Sequence, residues 1–294
     1  SVQKMRGLLK IHRKLPTLVA IPTTAGTGSE TTLAAVITDS DTHHKYPIND
    51  FALIPRYAVL DYHVTTGLPR QITATTGMDA LTHAVEAYIG GSTTKLTRRM
   101  AEEAVRRIHA DLKRAYDDGS DAKARESMLR AAYCAGIAFT RSYVGYVHGV
   151  AHSLGGRYGI PHGLANAVIL PYFLEEYGES CEKRLGKLAR ICGIAPGEAD
   201  DHAASSQFIQ WVKDMNRSME IPEKLEGIQE EDIRQMAAHA DRESNPLYPV
   251  PRLMDAKELA AMYRKIAAQG DAYSRRVNGL AAERKQEKWK SAIS

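Results

Sequence analysis

Two stretches decide how this chain is read: Gly77-Met78-Asp79-Ala80-Leu81-Thr82-His83-Ala84-Val85-Glu86-Ala87-Tyr88, and the run from His148-Gly149-Val150-Ala151-His152 to Gly159-Ile160-Pro161-His162-Gly163. The first has the composition of a helix. Asp79 and His83 stand four apart on it and so share one face. A carboxylate and an imidazole projecting together make half of a divalent-metal site. Taken alone, an Asp–His pair at that spacing is more often a surface hydrogen bond.

The second stretch changes the balance. His148 and His152 again share a helical face, and His162 follows in otherwise apolar sequence. One core histidine satisfied by a carbonyl is common, whereas three so close together point to metal ligation. Spacing leaves open whether His148 works with His152 or with His162. Gly155 and Gly156 are expected to end the helix or to admit another element closely, and Pro161 sets the chain direction before His162. A zinc protease of the HExxH kind needs Glu beside the first histidine, and Gly149 stands there instead.

A third stretch, from Ile21-Pro22-Thr23-Thr24-Ala25-Gly26-Thr27-Gly28 to Thr32, follows a predicted strand. Its hydroxyls and backbone amides could cradle phosphate oxygens. It is neither a GxGxxG nor a P-loop, and on its own a polar turn is the better reading.

Around these stretches the chain divides into two styles. Thr17–Ile21, Leu33–Thr38 and Tyr57–Leu60 are short continuous apolar runs, read as buried strands at the edge of an α/β sheet. The polar cluster Asp39–His43 closes the second. Two or three strands are therefore expected before a boundary at Leu68-Pro69. Beyond it the pattern is helical, with no substantial sheet expected. Met100, Val105, Ile108, Leu112 and Tyr116 recur at helical spacing up to Gly119, and Ser120 or Asp121 can cap the next helix. Residues 202–216, 231–241 and 256–268 also read as helices, with Pro222, Pro246, Pro249 and Pro251 in the loops. The domains so defined are 1–68 and 69–294.

Composition bounds the function. A formal net charge of +4 on 294 residues is too small and too scattered to argue for nucleic acid. The basic excess in Asp271–Ser294, six Lys/Arg against three acids, reads as a solvated helical tail. Cys134, Cys181 and Cys192 form neither a CxxC nor a framework, which points to a reducing, cytoplasmic compartment. Cys134 is read as a buried, inert thiol. The basic start, Ser1–Lys14, lacks the apolar run of a signal peptide, and no run of about 18 apolar residues predicts a membrane span.

Taken together, Pro22–Glu30, Gly77–Tyr88 and His148–Gly163 resemble, in order, the signature blocks of the iron-containing (group III) alcohol dehydrogenases, and the likeness runs over about Leu15 to Ala268. The resemblance implies an α/β remnant of a dinucleotide-binding domain followed by a large all-α metal-binding domain, a dehydroquinate synthase-like architecture. It implies Asp79, His83, His148 and His162 as ligands of Fe²⁺ or Zn²⁺, with His152 beside the substrate as a proton relay. It places Thr23, Thr24 and Thr27 against NAD or NADP, with Lys45 reaching toward the ribose. The implied reaction is hydride transfer between a small alcohol or aldehyde and the nicotinamide, in a homo-oligomer such as a dimer. Family members begin with a Rossmann-like segment carrying a Gly-Gly-Gly-Ser loop, and nothing similar precedes Leu15. About a hundred residues, a small domain's worth, are therefore expected to be absent, and nucleotide binding by this chain alone is expected to be weak. Two other readings compete: a noncatalytic metal-binding or oligomerisation module, and a metal-dependent hydrolase with His152 as its base.

Overall fold

The computed structural model describes residues 2–38 and 45–268. The cluster at 39–43 and the basic tail at 271–294 lie outside the described residues.

Helix α1 (Arg70–Ile89) is the axis of the molecule. Pro69 precedes it in an extended conformation, where its missing N–H breaks no helical bond. From Thr73 to Ile89 every residue except Thr76 is buried. A helix buried all round belongs at the centre of a bundle, and α1 is wrapped by α2 (Lys95–Asp117), α3 (Ala122–Ser142) and α5 (His162–Tyr177). Val105, Ile108 and Leu112 of α2 recur at helical spacing and are fully buried. Of the two cap candidates for α3, Asp121 does the work, accepting from the Ala124 N–H at 3.0 Å.

The remaining helices are α4 (Tyr146–Tyr158), α6 (Glu179–Ile191), α7 (Asp201–Ser218), α8 (Glu230–Ser244) and α9 (Ala256–Ile266). The last three occupy the segments read as helical, and the named prolines fall in the loops. Beyond Leu68 the only strand-like pairing among the described residues is an isolated bridge, Leu225 to Ala267. Neither expectation for Gly155 and Gly156 holds, for they do not end α4, and a Cβ would meet only the Ile160 carbonyl oxygen at 3.5 Å on Gly155 and nothing within 4 Å on Gly156. Both are helical, and the helix runs on to Gly159, whose φ of +67° makes the left-handed cap. Pro161 then starts α5, so His162 becomes its first residue.

Before α1 there are more strands than expected. β1 (Gly7–Leu8), β4 (Lys45–Asn49) and β3 (Ala34–Thr38) form one small sheet in that order, with β1 parallel and β3 antiparallel to β4. β2 (Val19–Ala20) and β5 (Tyr57–Ala58) form a parallel pair. β4 was missed because Pro47 argues against a strand with neighbours on both sides. Its ladder to β1 involves only Ile48 and Asn49, past the proline. The apolar runs around β2 and β5 are shorter as strands than expected, and they are not buried. Val19 is 49% and Tyr57 59% exposed, because each strand has a partner on only one side among the described residues.

Candidate metal centre

α1 carries three ionisable side chains into its buried surroundings at positions i, i+4 and i+7: Asp79, His83 and Glu86. Ionisable groups are costly to bury unless partnered, so their partners define the site. Glu86 reaches the start of α4. Its Oε2 accepts from the Gly145 N–H at 2.8 Å and faces His148 Nδ1 at 2.6 Å, while Oε1 accepts from the Val147 N–H at 2.9 Å. A proton held on Nδ1 leaves the Nε2 lone pair of His148 free to point elsewhere.

That lone pair points toward Asp79. His148 Nε2 is 3.8 Å from Asp79 Oδ1, and His162 Nε2 is 3.5 Å from the same oxygen. His83 completes the group, its ring stacked at 4.5 Å on His148 and at 4.1 Å on Phe139. One ligand atom from each of Asp79, His83, His148 and His162 lies within 4.8 Å of every other. Of the two pairs that spacing leaves open, His148 and His162 fall within this group and His152 does not. Three of these residues are buried; His162 has a side chain 40% exposed and forms the open side.

The electrostatics suit a cation. Burial lowers the pKa of His83, with Asp79 opposing. Burial lowers His148 well below the ordinary value, reinforced by the neighbouring histidines. His162 falls to about 4, again chiefly through burial. All three imidazoles are therefore neutral donors near pH 7, and none must shed a proton to coordinate. For Glu86, burial dominates and pushes the carboxyl up to about 8 against the pull of its N–H donors.

His152 lies beside the four but outside the gathered set. Its ring stacks on His162 at 5.2 Å and its Nδ1 meets Glu243 Oε1 at 2.6 Å. Burial works to lower its pKa, but the Glu243 hydrogen bond and charge prevail and raise it. Glu243 Oε1 also accepts from the Tyr248 hydroxyl at 2.8 Å.

The Thr-rich loop packs across α1 and α3 at its glycines. A Cβ on Gly26 would stand 2.6 Å from Thr76 Cβ, so the glycine allows contact with α1 two turns before His83. Thr23 and Thr27 are exposed and Thr24 is half-buried. Thr27 Oγ1 accepts from the Ser29 N–H at 3.3 Å, the turn-like role a plain polar loop would have. Lys45 opens β4, and its side chain lies outside the described residues.

Glu86, Glu243, Tyr248 and Asn166 were not singled out from sequence. Glu86 is seven positions from Asp79 and Asn166 four from His162, both helical repeats that carry a signal. Glu243 and Tyr248 are brought to His152 only by tertiary packing of α8 on α4.

Fold and site define a metal-binding helical unit preceded by a small sheet region. The chain belongs to the iron-containing alcohol dehydrogenase family. Residues 73–267 match the model of the Fe-containing alcohol dehydrogenase family, C-terminal, and residues 2–62 that of iron-containing alcohol dehydrogenase. The 1-propanol dehydrogenase of Salmonella typhimurium is 41% identical over 210 residues, covering 71% of this chain and 57% of that protein. The NAD-dependent methanol dehydrogenase of Bacillus methanolicus is 36% identical over 241 residues, covering 81% of this chain and 63% of that protein. A crystal structure of 1,3-propanediol oxidoreductase superposes with a TM-score of 0.85 at 35% identity, covering 90% of this chain and 69% of that one. The chain thus spans about three fifths of the length of these two dehydrogenases.

Proposed function

We propose that this chain is the metal-binding part of an NAD(P)-dependent alcohol dehydrogenase or aldehyde reductase, with Asp79, His83, His148 and His162 holding Fe²⁺ or Zn²⁺. The observation that carries the reading is the approach of those four ligand atoms to within 4.8 Å of one another. Three neutral imidazoles and one carboxylate are a donor set that both cations accept.

A bound cation supplies Lewis-acid polarisation of an alcohol or carbonyl oxygen, and the nicotinamide supplies the hydride acceptor or donor. The protein's own groups do the rest. Glu86 fixes the tautomer of His148 through Nδ1. His152, anchored at Nδ1 by Glu243, keeps Nε2 available to hold or pass a proton from the substrate hydroxyl, and its side chain is 45% exposed, so the proton has a way out. His162 leaves one side of the site open to a small alcohol or aldehyde. Thr23, Thr24 and Thr27 would line the nucleotide side of the loop, with Lys45 toward the ribose.

In this reading residues 1–68 belong to the cofactor-binding domain and residues 69–294 form the helical catalytic domain. The three free cysteines fit the cytoplasm, no described helix is long and apolar enough to cross a membrane, and the assembly is a homo-oligomer, a dimer. The test is cofactor reduction. The chain is loaded with Fe²⁺ or Zn²⁺ and supplied with 1-propanol or 1,3-propanediol and NAD⁺ or NADP⁺, with calorimetric titration of each nucleotide alongside. Metal-dependent turnover supports the dehydrogenase reading. Tight metal binding without turnover, at a nucleotide concentration shown to saturate, leaves the noncatalytic module as the better account.

A further inference from the structure

α4 and α8 approach each other closely beside the site. A Cβ on Gly149 would run into Ser244 Oγ, so the glycine lets the end of α8 close onto α4 between His148 and His152. Ser244 is fully buried there, and Glu243 next to it reaches His152. The loop leaving α8 is tied back to α4 by Tyr146, whose hydroxyl donates to Asn245 Oδ1 at 2.7 Å and accepts from the Met254 N–H at 2.9 Å. Between those ties stands Tyr248, its N–H donating to the Ser244 carbonyl at 2.7 Å.

Two donors converge on one oxygen. Glu243 Oε1 faces His152 Nδ1 at 2.6 Å and accepts from the Tyr248 hydroxyl at 2.8 Å. A carboxylate has no proton to give, so the proton between Glu243 and His152 belongs to Nδ1, and Nε2 keeps its lone pair. That assignment lasts only while the carboxylate holds its angle. The terminal torsion of a glutamate is broad and roughly two-fold. Glu243 is also partly exposed, so the contact with His152 alone leaves it free to swing toward solvent. Tyr248 is half-buried, and its ring has nowhere comparable to go. Burial, and then the charge of Glu243, raise its hydroxyl well above the usual tyrosine range, so it stays a donor.

We propose that Tyr248 is a positioning residue for the reaction: its hydroxyl fixes the Glu243 carboxylate, which holds His152 in the tautomer whose Nε2 can take the proton of a substrate hydroxyl. This rests on the dehydrogenase reading above, in which His152 carries that proton. Tyr248 acts through Glu243 and has no part in holding the cation. It governs which nitrogen of His152 is bare, and leaves the four proposed ligands as they are.

The tautomer itself is the readout. The full chain, with ¹⁵N in its histidines and Zn²⁺ bound, is followed by nitrogen chemical shift, which separates a ring nitrogen that bears a proton from a bare one. Spectra are taken above the pH at which His152 titrates, as the same resonances report, and His152→Ala assigns its signals. The unaltered chain should show a protonated Nδ1 and a bare Nε2. Tyr248→Phe removes one oxygen and should draw the two shifts together as the other tautomer gains population, while Zn²⁺ affinity in chelator competition stays that of the parent. Glu243→Ala should do the same. Adding Tyr248→Phe to Glu243→Ala should then change nothing further, because residues that act through one another are not additive. In turnover, Tyr248→Phe should lower kcat by about tenfold, a part of what a positioned base supplies, with KM little altered. A Tyr248→Phe spectrum identical to the parent's, or a further shift in the double variant, overturns the proposal and bears on Tyr248 alone. Absence of metal-dependent turnover at saturating nucleotide removes the dehydrogenase reading, and the proposal with it.

Discussion

Glu86 shows how one side chain can serve two structural demands. Its carboxyl group stands before the first turn of α4, where backbone N–H groups lack helical partners, and takes two of them from Gly145 and Val147. It also takes the Nδ1 of His148. Glu86→Gln keeps the volume but puts an NH₂ group in place of one of the two oxygens that the Gly145 and Val147 N–H groups and His148 Nδ1 now share. Metal affinity should fall about 10- to 100-fold, the range for such supporting partners, while far-ultraviolet dichroism stays that of the parent. Unchanged affinity in a chelator competition would show that His148 needs no help from Glu86. The imidazoles themselves predict a pH effect. Burial depresses His83, His148 and His162 below the value of 6.5 they have when unfolded, His162 to about 4. Between those values the unfolded chain binds more protons than the folded one, so stability falls as pH falls. Glu86, raised to about 8, works the other way between 4.5 and 8, because there the folded chain binds the extra proton. Glu30 is raised by burial like Glu86, and His109 is lowered by burial like the site histidines; with four histidines against two carboxyls, the urea midpoint of the chelated protein should drop between pH 6.5 and pH 4.5. A midpoint that rises over that interval contradicts the neutral assignment of the site histidines.

At the scale of elements, what the sequence showed and what it hid follow from the range of each interaction. α1 was legible because its buried apolar residues and its Asp79–His83 pair are local. The cap at Asp121 and the helices α7, α8 and α9 were legible for the same reason. The end of α4 was misread because Gly155 and Gly156 resemble a stop, while the left-handed position that ends the helix is Gly159. β4 was hidden by Pro47, and the placing of His162 beside Asp79 by the turn at Gly159–Pro161 that starts α5 there. No periodicity reports where one helix meets another. Close approach between elements is where a small substitution should tell. A Cβ on Gly163 would stand 2.5 Å from the Thr75 carbonyl oxygen on α1, and no rotamer relieves a clash with backbone. Gly163→Ala should push α5 off α1 and cost about 1–3 kcal/mol as overpacking, read as a lower urea midpoint with unchanged slope. Because His162 is the preceding residue, metal affinity should fall in the same variant. Full affinity alongside lost stability would mean that α5 carries His162 independently of its seat on α1.

For the molecule as a whole, the four proposed ligands tie together three helices: α1 through Asp79 and His83, α4 through His148 and α5 through His162. The unfolded chain scatters these positions, so a cation that binds the set binds the native state far better than the unfolded one. By linkage it stabilises the fold by about 2.7 kcal/mol when free metal stands at a hundred times its dissociation constant. For a chain of this size each kcal/mol raises the melting temperature by roughly 2–4 °C. Zn²⁺ at that excess should therefore raise Tm by roughly 5–10 °C over the chelated protein, and each further tenfold in metal should add roughly half as much again. His148→Ala removes the α4 tie and should abolish most of the rise. His152→Ala leaves the four ligands intact and should keep it, although it strikes the proposed proton path. Scanning calorimetry of the three proteins separates these roles without any assay of turnover. A rise lost in His152→Ala as well as in His148→Ala would reassign the site to His148 with His152, the other histidine pair that spacing allowed.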